Sequence, residues 1–342
     1  MLSLLVFTAC HHKKSYDTIG DSGLTTRTEN LRTNLCTFAD KGVLMGHEYG
    51  IVAGVGFRND TTGRSDFNSI CNDLPAAVGF ELSGIERGAK QNIDSVDFNV
   101  IRTQILNYMH HGGLVMMRWT APRAKSDGQM HEWVKKVADY LGSIQDGYGI
   151  KVPIVLCLYP LTGKEWYDDL PSGEYTRMYQ QAMNWMHEAG LTNAIFAYSC
   201  STVGSDSKFF EKCPGNGIDV IDFNYMVDDI SGYADTLNKM AQMLSDFSKS
   251  QNKAVGITTG VRGIQSDTLW TFAVLPVIQK YHLSYFMLGK NMGEAKDRKY
   301  YAPYPGEKSV ANFMQMYNDK HTLFMSDVNG LYLSKDEKEN NK

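Results

Sequence analysis

The chain has 342 residues, 43% of them hydrophobic and 21% charged, and a formal net charge of −4 at pH 7. This is ordinary globular composition, and the absence of a basic stripe excludes nucleic acid as the main partner. The length fits one large domain, since an α/β barrel takes about 250 residues or more.

The first ten residues, MLSLLVFTAC, are apolar and end in small residues before a cysteine. They look like the tail of a bacterial lipoprotein signal with Cys10 as the lipidated residue; a membrane span would need about 20 apolar residues. Residues 11–34 are polar and read as a flexible tether. The body of the protein is then expected over 35–333, followed by a charged, frayed tail over 334–342.

Eight apolar runs follow in chain order: 42–48, 76–82, 112–119, 152–160, 193–200, 218–225, 253–260 and 283–291. Their near-continuous apolarity suits strands buried on both faces of a parallel sheet. Segments of helical period separate them. Phe98, Ile101, Ile105, Tyr108 and Met109 share one face, as do Trp133, Val137, Leu141 and Ile144. Further stripes run through Tyr175, Tyr179, Ala182 and Met186, and through Leu237, Met240, Ala241 and Leu244. Residues 269–278 read as a helix with Pro276 near its end. Strand–helix alternation of this kind predicts an α/β fold, a single-domain (β/α)8 TIM barrel. His110 and His111 fall at a helix end away from any site and read as surface.

Besides Cys10, the cysteines are Cys36, Cys71, Cys157, Cys200 and Cys213. No CxxC or zinc spacing occurs, so neither metal nor cofactor is expected. Cys200 and Cys213 read equally as a disulfide or as two buried thiols.

In such barrels the site lies at the C-terminal ends of the strands. That selects His47 and Glu48, Glu81, Trp119, Pro160 and Leu161, Cys200, Phe223 to Tyr225, Thr258 and Thr259, and Lys290 and Asn291. The segments at these ends are VLMGHE (43–48), PAAVGFELSGIE (75–86), Arg118–Trp119, VPIV (152–155), AIFAYS (194–199), GNGIDVIDFN (215–224), GITTGVRGI (256–264) and YAPYPGEKS (301–309). Together, in this order, they resemble glycoside hydrolase family 26, the family of endo-β-1,4-mannanases and a few relatives, from about Gly42 to Val328. The resemblance implies a barrel that acts on β-mannan or a related polysaccharide through two glutamates. It places the acid/base at Leu161 and the nucleophile at Thr258; it also aligns a strand-eight tryptophan with Gly289.

Neither residue supports retaining hydrolysis, which uses two carboxyls about 5–5.5 Å apart. Leucine has no proton to give, and a threonine hydroxyl is a poor nucleophile without a base. The expectation is therefore a catalytically inactive, glycan-binding relative, with His47, Trp119, Trp166, Tyr167, Tyr225 and Asn291 as sugar contacts, since aromatic faces stack on sugar rings. The alternative is an active mannan endo-1,4-β-mannosidase-type hydrolase using relocated carboxylates drawn from Glu48, Glu81, Glu165 or Asp222. The resemblance and the Cys10 motif together imply a monomer held at the bacterial cell envelope, anchored by lipid in the outer membrane.

Overall fold

A computed structural model describes residues 17–292 and 300–340. Cys10 and the expected signal segment lie outside the described residues. Each apolar run forms a strand: β1 Val43–Glu48, β2 Ala77–Glu81, β3 Leu114–Trp119, β4 Ile154–Leu158, β5 Ala194–Cys200, β6 Ile218–Val227, β7 Ala254–Val261 and β8 Tyr285–Leu288. All pair in parallel and in chain order, and β8 returns to β1 with Leu44 opposite Tyr285 and His47 opposite Leu288, which closes the barrel. The expected (β/α)8 single domain is the fold. Thr322–Leu323 pairs beside the start of β1, and Ala53–Gly54 with Phe57–Arg58 makes a short antiparallel ribbon in the loop after β1.

The helices are α1 Thr26–Phe38, α2 Asp66–Cys71, α3 Phe98–Met109, α4 Asp127–Gly142, α5 Ser172–Glu188, α6 Asp206–Phe209, α7 Tyr233–Gln251, α8 Leu275–Lys280, α9 Val310–Tyr317 and α10 Lys335–Asn340. Side chains cap the starts of α3 and α4: Asp97 accepts from the Asn99 N–H at 2.7 Å, and Ser126 from that of Gln129 at 3.3 Å. The apolar stripes of α3, α4, α5 and α7 are their buried faces, as the periodicity implies. A π-helical turn, Trp270–Val274, runs directly into α8. Pro276 has no N–H for the turn before it, so the hydrogen-bond ladder widens there.

Two boundaries differ from the sequence reading. The polar segment 11–34 is not all tether, because α1 begins at Thr26 with Thr25 capping it. Leu31, Leu35 and Phe38 fall on one face and are buried, a helical period set among polar neighbours. Asn34 then ties α1 to the chain's other end, donating to the Leu331 and Leu333 carbonyls at 2.9 Å. The tail likewise includes the one-and-a-half-turn helix α10, whose Lys338 reaches Asn34. Cys200 and Cys213 are free thiols.

Side chains alternate between the barrel axis and the helical layer. Gly46, on the axis side of β1, makes room for Met287: a Cβ there would meet its sulfur at 2.6 Å. Arg118, Cys157, Ser199, Asp222 and Thr258 join Met287 around the same small inner cavity. The residues between them, His47, Trp119, Tyr198 and Phe223, face the helices. This parity decides which strand-end residues reach the mouth.

Candidate functional site

A cleft of about 500 Å³ opens at the C-terminal ends of the strands. Its floor is Glu48, Glu81, Arg118 and Asn224, and its walls include Thr162, Lys164, Tyr225 and Tyr301. Ile93, 62% exposed, stands at the rim. Lys290 pairs with Asp94 across one wall. Asp94 also accepts from the Tyr49 hydroxyl at 2.8 Å, and that hydroxyl accepts from the Glu81 N–H at 3.1 Å and the Asn92 amide at 2.9 Å.

At the centre, the Arg118 guanidinium donates to Glu48 Oε1. Burial works against its charge, but Glu48, then Glu81 and Asp222, outweigh burial and raise its pKa further. Below it the barrel is filled: the inner cavity is only about 20 Å³. Asp222 lies there, accepting from Ser199 Oγ at 2.7 Å, Thr258 Oγ1 at 2.8 Å and the Tyr285 hydroxyl at 2.9 Å. Burial nevertheless keeps its pKa above the usual carboxylate value. Glu81 is equally engaged. Its Oε1 accepts from the Leu82, Ser83 and Thr120 N–H groups and the Ser83 hydroxyl, and its Oε2 from Thr120 Oγ1.

Several expected sugar contacts lie elsewhere. His47 is fully buried and stacks on Phe67 at 5.2 Å, with neither ring nitrogen hydrogen-bonded. Trp119 is fully buried too, its Nε1 donating to Glu86 Oε2 at 3.3 Å. Tyr167 is core, packed edge-on against Tyr159 and Trp166. Asn291 is a scaffold clamp, bonded to Asp66 Oδ2, to the Ala302 carbonyl, and to the N–H groups of Tyr301 and Ala302. Trp166 is half-buried on the far side of its loop, outside the cleft. Tyr225 alone of the six lines the cleft; its ring already stacks against Phe223 and Tyr233.

The two positions that the resemblance gives to the glutamates also lie off the cleft. Thr258 sits under Arg118 in the inner cavity. Leu161 is buried and lines a neighbouring cavity of about 380 Å³ with Cys200 and Lys212, while Thr162 and Lys164 line the cleft. Strand parity breaks at Tyr159, whose left-handed backbone (φ 48°) is unusual for a bulky residue. Beyond it, the Leu161 N–H donates to the Ser199 carbonyl at 2.9 Å, which pins the loop along β5.

The sequence reading missed Arg118 and Tyr301. Arg118 was legible by parity, two residues beyond Met116 on the axis face. Tyr301 packs over Gly289, where a Cβ would meet its own at 3.0 Å and the Met226 sulfur at 2.9 Å. An aromatic from the 301–309 segment thus covers the place on β8 that the resemblance gave to a tryptophan. Among the described residues, no group of three or more His, Cys, Asp or Glu side chains is placed to hold a metal ion.

No protein-family model matches this chain, and no curated protein does. Solved structures do. A GH26 β-mannanase from Bacteroides ovatus superposes with a TM-score of 0.85 at 30% identity, covering 91% of this chain and 98% of that one. GH26C from Muricauda sp. MAR_2010_75 gives 0.79 at 17% identity, over 91% and 94% of the two chains. The catalytic domain of a Bacillus sp. JAMB-750 GH26 endo-β-1,4-mannanase gives 0.81 at 16% identity, over 94% and 97%. The last two likenesses speak to the fold alone.

Two outcomes follow from these surroundings. The Arg118 side chain is 27% exposed and that of Glu48 only 10%. Arg118→Met should therefore cost about 3 kcal/mol of unfolding free energy by leaving a buried carboxylate unpaired, and Glu48→Gln added to it should restore part. Denaturant unfolding of the four chains measures this; additive losses would mean the pair is not coupled. Burial lowers the His47 pKa from its ordinary 6.5 to about 3. The unfolded chain then takes up a proton that the folded chain refuses. Stability from this group is intact above pH 6.5 and falls as pH drops from there towards 3. Between pH 7 and 5 it contributes a loss of about 2 kcal/mol, which His47→Leu should remove from the stability–pH curve.

Proposed function

The chain belongs to glycoside hydrolase family 26, and on that premise we propose that it binds β-mannan or a related polysaccharide in its cleft without cleaving it. One observation carries the reading: the centre of the mouth is taken by the Arg118–Glu48 ion pair, not by a pair of carboxyls facing a sugar. Support comes from the two positions aligned with the catalytic glutamates. Leu161 is apolar and lines a different cavity, and the Thr258 hydroxyl is committed to Asp222.

Relocated carboxylates have less support. Glu48 is held by Arg118, Glu81 by scaffold donors on both oxygens, and Asp222 lies beneath the floor. Glu165 is half-buried and is not among the residues lining the cleft. What remains suits binding. Tyr301 offers an aromatic surface, Ile93 an apolar rim, and Asn224, Thr162, Ser201 and Lys164 the polar groups that orient hydroxyls. In this reading the protein is a lipid-anchored monomer at the bacterial envelope, attached through Cys10.

A calorimetric titration of the chain with mannohexaose, followed by recovery of the sugar, tests the proposal. A saturable isotherm with intact sugar is expected, and Tyr301→Ala should weaken it about tenfold, as loss of one stacking contact does. Shortened products from the unaltered chain would establish the hydrolase reading instead. Introducing Leu161→Glu with Thr258→Glu should not produce hydrolysis. The first carboxyl would enter the neighbouring cavity and the second would be buried beside Asp222, so chromatography should show intact sugar and thermal unfolding a lower midpoint.

A further inference from the structure

Beside the cleft, on the outer flank between α4 and α5, lies a second cavity of about 270 Å³ that shares no lining residue with it. Trp166, Trp185, Tyr159, Met130, Gln181 and Arg123 line it. We propose that this is a second saccharide site, which takes a single pyranose ring of a neutral polysaccharide chain. It shares with the cleft reading only the class of ligand, and it stands or falls separately.

Pyranose rings present C–H faces and peripheral hydroxyls, and both have counterparts here. Two indoles from different elements meet at one pocket, Trp166 from the loop after β4 and Trp185 from α5. Each is held in place before any ligand arrives. Trp166 Nε1 donates to the Ala121 carbonyl at 2.9 Å, and Trp185 packs on His131 with ring centres 4.8 Å apart. Fixed aromatic faces bind with little loss of side-chain freedom. The polar rim is unspent: Gln181 is exposed, and among the described residues its amide has no hydrogen-bond partner. Arg123 sits over the Trp166 ring at 5.7 Å, near the outer limit of cation–ring attraction, and is exposed. It can move aside to donate to a hydroxyl. The volume is just under the usual range for ligand pockets, which fits one ring and not a longer segment. Because the loop that gives Trp166 to this pocket also gives Thr162 and Lys164 to the cleft, the two sites lie on neighbouring sides of one loop.

Native electrophoresis of the full chain through gels containing galactomannan, glucomannan, xylan or mixed-linkage β-glucan tests this directly. Retardation by at least one polymer is expected. Trp185→Ala should raise the dissociation constant at least threefold, Tyr301→Ala should do so independently, and the double variant should migrate nearly freely. Gln181→Ala, at an exposed position, gives a second reading if Trp185→Ala does not fold. Retardation of Trp185→Ala (or, in its place, Gln181→Ala) equal to that of the unaltered chain overturns the flank site and leaves the cleft reading. Loss with Trp185→Ala but none with Tyr301→Ala keeps the flank site and removes the cleft. No retardation of the unaltered chain by any polymer overturns both.

Discussion

A guanidinium on the axis of the barrel fixes what the rest of the mouth can be. Arg118 is the positive charge among Glu48, Glu81 and Asp222. Taking any of these carboxylates out of water without a countercharge is costly, and removing one member of a buried pair strands the other. The arrangement is therefore mutually dependent. It also sets the depth of the site. Arg118 divides an inner cavity of about 20 Å³ from a cleft of about 500 Å³, so the space open to a ligand lies above the floor and not within the barrel.

The barrel was legible because burial on both faces leaves strands nearly continuous in apolar residues, and each run became a strand within three residues of its limits. The site was legible only to the level of strand ends. His47 and Glu48 are neighbours, yet one faces the helices and the other the axis. Trp119 and Arg118 differ in the same way. Choosing the more sugar-like residue of each pair selected the wrong side of the sheet, whereas counting in twos from Gly46 or Met116 would have selected the right one. Leu161 needed more than counting, because the left-handed Tyr159 resets the parity, and nothing in LYPL announces a positive φ at a tyrosine.

Tyr301 and α1 show two other limits. Tyr301 reaches the cleft from a segment after β8 and lies against Gly289. A glycine on an axis-facing position signals close approach of something bulky, but not what approaches. The start of α1 was legible in principle. Thr25 as cap and Leu31, Leu35 and Phe38 on one face follow the helical rule, and polar composition over the same stretch hid it.

The mouth also concentrates groups that a stability-optimised barrel would avoid. Tyr49 and Tyr159 both hold left-handed backbone at strand ends, each costing about 1–3 kcal/mol. Glu48, Glu81 and Asp222 are buried carboxylates which, together with Arg118, a well-packed apolar set of similar volume could replace without loss of folding. These features sit around the mouth and are sparse in the lower barrel, where β4 and the start of β5 are wholly apolar. Local departures from the folding optimum gather where a protein does something besides fold. A mouth that had become mere scaffold would have no physical need of a charged floor, a strained tyrosine on either side and an open volume above. Their coexistence over a closed inner cavity supports a surface shaped to receive a ligand, one that binds from above and meets charge and hydroxyls in fixed positions.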